Sequence, residues 1–227
     1  MRTAEAGSAT PYTPVTRRTE TALRSRPTGC AHQPGSGALT IAERFWPGST
    51  HGYLLQEDHR MMTDPKLEDR RAQSYVGIRT LAPMQAFSQV IPQSLETVAA
   101  WLKAHSITPT GAPFIRYHVI NMEADMDIEL GFPVPPNVAG DGQISAGTIP
   151  AGRYAALIYT GVANGIAANG ALLDWGAAQG LVWDTYAAPH GDGFGARLEF
   201  FLTDPYEQPD PAQWETEVAI RLADPVR

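Results

Sequence analysis

The 227-residue chain is 43% hydrophobic and 18% charged, with a formal net charge of −7, the profile of a globular protein with one ordinary domain plus extra segments, or two small domains. That acidity argues against a nucleic-acid-binding surface, which needs clustered Lys and Arg to displace counterions. The single cysteine, Cys30, excludes an internal disulfide framework and a cysteine-based zinc site.

No run approaches the ~20 apolar residues of a membrane-spanning helix, and no apolar core follows the first arginines as in a secretory signal. The expectation is a cytoplasmic protein without cofactor or metal. His105, His118 and His190 lack metal-ligand spacing.

Within residues 1–60, the stretch from Ala6 to Leu39 is dominated by Thr, Ser, Gly, Pro and Arg without helical or strand periodicity, and only a short apolar patch, Ile41 to Trp46, follows it, which predicts a disordered leader. Two readings of it stand. Either the true start is Met61 or Met62, or Arg17, Arg18, Arg24 and Arg26 belong to a functional basic tail. It contains no recognisable helix-turn-helix.

The domain is expected over residues 70–224. A strand is predicted at 75–80, continuing through Ala86 and Phe87. A helix follows at 93–105, with Leu95, Val98, Ala99 and Leu102 as its apolar stripe and Pro92 near its first turn. Strands at 114–120 and 127–134 complete a first unit. The order then repeats: a strand at 152–160, a helix at 166–179 stopped by Gly180, a glycine-rich loop at 186–195, and strands at 197–203 and 215–222. The fold class is therefore α+β: duplicated β-α-β-β units forming a pseudo-symmetric antiparallel sheet with helices on one face.

Alternation sorts the side chains of these strands. Leu198, Phe200 and Leu202 are expected under the helices, as are Val218, Ile220 and Leu222. Glu199, Phe201, Glu217 and Glu129 then share a helix-free face. There Glu199, between Phe201 and the 186–195 loop, is the candidate pocket carboxylate. Tyr117, Tyr154, Tyr159, Trp183 and Tyr186 are candidate aromatic walls.

The run Gly195-Ala-Arg-Leu-Glu-Phe-Phe-Leu-Thr-Asp-Pro205, followed by Pro209-Asp-Pro211 and Trp214-Glu-Thr-Glu-Val-Ala-Ile220, resembles the C-terminal signature of GyrI-like domains, which also serve as effector-binding domains of AraC- and MerR-type regulators. The resemblance implies a stand-alone, multidrug-type binder with Glu199 as its pocket glutamate; Phe201, Trp183, Tyr186, Tyr117, Tyr154 and Glu217 are the further candidate ligand-binding residues. The small-molecule ligand would be hydrophobic, aromatic or a lipophilic cation. Phe201 stands where many members carry Tyr. Two alternatives remain open: hydrolysis of cyclopropanoid or other strained electrophiles, with Glu199 catalytic, and a protein-interaction role such as gyrase inhibition.

Overall fold

A computed structural model describes residues 61–225. Five strands and one helix form the first part of the domain: β1 (Lys66–Arg70), β2 (Gln73–Ala82), α1 (Phe87–Ala104), β3 (Phe114–Ile120), β4 (Met126–Pro133) and β5 (Ser145–Ile149). The rest follows as β6 (Gly152–Thr160), α2 (Gly165–Ala178), β7 (Thr185–Ala188), β8 (Gly191–Phe194), β9 (Arg197–Phe201) and β10 (Glu215–Arg221). All pairings are antiparallel, in the order β1-β6-β10-β9-β3-β4-β2-β5.

The predicted duplication is visible in that order. The units β2-α1-β3-β4 and β6-α2-β9-β10 meet along the β9–β3 seam. Glu129 pairs with Arg116 and Arg79 as Glu217 pairs with Phe200 and Ile158, so the two glutamates occupy corresponding places.

Short connections force the sheet to curl. β1 is an edge strand, yet only Arg71 and Ala72 join it to β2, near the opposite edge. Pro150 and Ala151 likewise join β5, at the other edge, to β6. Two residues span at most ~7 Å, so the ends of the sheet must approach each other. Ile149 and Tyr75, from one end, accordingly share a buried cluster with Tyr154, Ala156 and Ala219 from the other. The Tyr154 hydroxyl donates to the Pro150 carbonyl at 2.7 Å.

Both helices cover the other face. α1 lays Val98 and Leu102 against Val76, while α2 packs Ala168 and Leu172 against Leu157, Val218 and Ile220.

This arrangement corrects several expectations. The helix-free face is the interior of the curl, where an apolar cluster lies beside paired polar groups. On β9 the assigned faces are reversed: Leu198 and Phe200 join Tyr75 and Phe114 inside the curl, whereas Glu199 and Phe201 face the helices. Both faces of this strand are buried, so alternation could not tell which carried the helices. The assignment of Val218 and Ile220 to the helix side holds.

α1 begins at Phe87, not Gln93, and Pro92 lies inside it. Phe87, Val90, Ile91 and Leu95 continue one apolar stripe onto Ala82, Met126 and Ile128. That packing outweighs the backbone hydrogen bond Pro92 removes. The strand expected to run through Ala86 stops at Ala82.

The glycine-rich loop is the β7–β8 hairpin, whose second strand pairs with β3 at Val119 and Ile120. Tyr186 lies across its partner Gly193, where a Cβ would stand 2.4 Å from the ring. The expected leader lies outside the described residues.

Candidate functional site

Glu199 sits mid-strand on β9, between Ile115 of β3 and Val218 of β10, and is 9% exposed. Three groups donate to its carboxylate. The Tyr117 hydroxyl reaches Oε1 at 3.2 Å and Asn169 Nδ2 reaches the same oxygen at 2.9 Å. The Tyr159 hydroxyl reaches Oε2 at 3.0 Å. β3, β6 and α2 thus each contribute one neutral donor, and no salt bridge to Glu199 occurs among the described residues.

Burial pushes both phenols well above the ordinary tyrosine range, and the nearby Glu199 charge adds to the effect. Both therefore keep their protons and act as donors.

The first turn of α2 closes over this carboxylate. A Cβ on Gly165 would lie 3.0 Å from the Tyr159 hydroxyl, so glycine lets the helix approach. One residue on, Ile166 is 68% exposed, and Val162, just before the helix, is also exposed. Phe201 packs with Tyr117 and Phe87 over the α1 side, where the Phe87 and Tyr117 ring centroids are 6.4 Å apart.

Asn169 also accepts from Arg197 Nη2 at 2.8 Å through Oδ1. Arg197 stacks on Phe194, its guanidinium carbon 4.9 Å from the ring centroid. Sequence reasoning missed Asn169 and Arg197. The signal for Asn169 was present: it and Asp174 are the polar side chains of an otherwise Gly-, Ala- and Leu-rich helix.

Of the residues expected in one pocket, the structure brings Glu199, Tyr117, Tyr159 and Phe201 together. Trp183 and Tyr186 line a neighbouring cavity of ≈470 Å³ with Phe194 and Arg197. Tyr154 and Glu217 lie on the opposite face of the sheet. There Arg70 pairs with Glu217 at 2.8 Å, and its guanidinium carbon is 5.3 Å from the Tyr154 ring centroid. Phe200 and Glu217 line a cleft of ≈500 Å³ with Arg70 and Arg71.

A second polar cluster lies on that face. Glu129 accepts from the Tyr75 hydroxyl at 2.7 Å and lies 2.8 Å from His118 Nε2, with Arg116 Nη1 donating to the Tyr75 hydroxyl at 3.3 Å. The described residues hold no group of three or more metal-ligating side chains, and none of their helices is long and apolar enough to cross a membrane.

The family profile of the GyrI-like small molecule binding domain matches residues 63–223, spanning both repeats and all four contributors to the Glu199 cluster. The chain belongs to the GyrI-like family. It therefore carries a small-molecule-binding domain. Several solved structures share the fold. The EcmrR C-terminal domain superposes with a TM-score of 0.58 at 20% identity, over 71% of this chain and 98% of that one. EcmrR in its DNA complex gives a TM-score of 0.57 at 19% identity, over 77% of this chain. The match covers 63% of that EcmrR chain. A hydrolase from Listeria innocua gives 0.50 at 11% identity, over 75% of this chain and 98% of that one. Comparison with curated proteins gave no match.

Proposed function

We propose that this GyrI-like domain binds hydrophobic, cationic or aromatic molecules over Glu199, as a sensor or a sequestering protein. The carrying observation is the character of the Glu199 donors: two phenols and an amide, all neutral, around a buried carboxylate. A buried charge held this way keeps its negative potential, and the low local dielectric strengthens its pull on a cation. Salt-bridged Glu217 has no such unspent field.

The aromatic side chains supply the rest. Tyr117, Tyr159 and Phe201 offer ring faces that attract cations and bury flat apolar surface. The exposed Ile166 and Val162 give an incoming apolar ligand contact area beside the first turn of α2. Entry requires that turn to yield, because it closes over the carboxylate.

Equilibrium dialysis of the full chain with a rhodamine dye tests this reading. Saturable binding is expected, with the dye recovered unchanged by mass spectrometry. Absence of saturable binding contradicts it, and recovery of a cleaved dye would move the site to hydrolysis.

A further inference from the structure

Arg197 is the mirror of the Glu199 problem. It is largely buried, its Nε has no hydrogen-bond partner and it makes no salt bridge among the described residues. Its polar contact is the neutral Asn169 amide, and its guanidinium rests on the Phe194 ring. Burying a cation without an ionic partner is costly.

Arg197 also forms part of the wall of the ≈470 Å³ cavity under the β7–β8 hairpin, a volume in the range of small-ligand sites. The walls are built for flat rings. Trp183 is seated in a notch on α2 at Gly176, where a Cβ would stand 2.1 Å from its ring. Tyr186 lies flat over Gly193 with its hydroxyl tied to the His118 carbonyl at 3.1 Å.

We propose that this cavity is a second ligand site, separate from the one over Glu199, and that it takes an aromatic carboxylate. The ring of the ligand lies between Trp183 and Tyr186 and its carboxylate pairs with Arg197, where planar guanidinium and carboxylate match in shape. Asp192 also lines the cavity and its charge reaches Arg197, so it opposes anions in general and those of higher charge most. The assignment stands on the cavity and Arg197 and does not rest on the reading of Glu199.

The test uses the full chain, 2-naphthoate as probe and 2-naphthalenemethanol as its neutral counterpart, followed by NMR of the tryptophan indole resonances. Naphthoate is expected to bind about tenfold or more tightly than the alcohol, consistent with one charge-assisted pair. Arg197→Met should abolish that preference, Arg197→Lys should retain part of it, and Glu199→Gln should not weaken naphthoate. Tyr186 is half exposed, so Tyr186→Ala leaves the domain folded and should weaken both probes. If Arg197→Met fails to fold, the probe pair and Tyr186→Ala still decide. Equal affinity for acid and alcohol, or naphthoate binding unaffected by Tyr186→Ala, overturns the proposal. So does naphthoate binding weakened by Glu199→Gln.

Discussion

Glu199 and Arg197 stand two residues apart on the helix-covered face of β9 and do not pair. The Asn169 amide is inserted between them, donating to the carboxylate at 2.9 Å and accepting from the guanidinium at 2.8 Å. A neutral spacer keeps two opposite charges apart in a place where direct contact would cancel both. On this account Asn169 maintains the negative potential that a cationic ligand meets.

Asn169→Ala should therefore let Arg197 swing onto Glu199. Rhodamine affinity is expected to fall by about tenfold, the size of a coupling between partly buried charges. The double variant Asn169→Ala with Arg197→Met should recover most of the loss, because the competing cation is gone. Dye titration of both variants checks this. Unchanged affinity in the single variant contradicts the spacer role.

The interior of the curl makes a different prediction, about stability. Phe114 is fully buried, with its ring 5.2 Å from Tyr75 and 5.8 Å from Phe200 by centroid distance. It joins strands of both repeats at the central seam. Phe114→Ala should cost about 3–5 kcal/mol, through lost burial plus the cavity left behind. Urea unfolding measures it. A cost below about 1 kcal/mol would mean the curl is not a packed core.

Much of this was legible in the sequence. The repeated order of strand, helix and two strands could be read from periodicity and turn residues, and the 195–220 run carried the family resemblance. Glu199 was singled out as a carboxylate among aromatic residues, and the Tyr117 and Tyr159 hydroxyls do bond to it. Its face was not legible, because Leu198 and Phe200 bury as fully as the residues alternating with them. β1 was missed because its sequence, Lys-Leu-Glu-Asp-Arg, is almost wholly charged. It is a strand through pairing with β6 and the ion pair of Arg70 with Glu217. The separation of Trp183 and Tyr186 from Glu199 follows from the β7–β8 hairpin, and a Gly-rich stretch reads equally well as a loop.

Acid should act through Glu129. Its burial works to raise its pKa, but hydrogen bonding to His118 and Tyr75, aided by charge interaction with His118 and Arg116, outweighs this and holds it below its ordinary value of 4.5. A carboxyl depressed on folding stabilises the native state fully above its unfolded value. That contribution is lost as pH falls through the lower folded value. The urea midpoint should therefore decline below about pH 4.5. Tyr75→Phe removes one donor and keeps the ring, so it should make this decline shallower. Parallel pH profiles for wild type and variant would contradict the role given to Glu129.

The central claim is that the charge of Glu199, and not merely its shape, holds the ligand. Glu199→Gln preserves size and hydrogen-bonding capacity and removes only the charge. Fluorescence titration of wild type and variant with a rhodamine cation and with a neutral aromatic ligand separates the two contributions. The account predicts that the variant loses about 1–3 kcal/mol of cation affinity, roughly 5- to 150-fold, while the neutral ligand changes little. Equal cation affinity in the two proteins would contradict it.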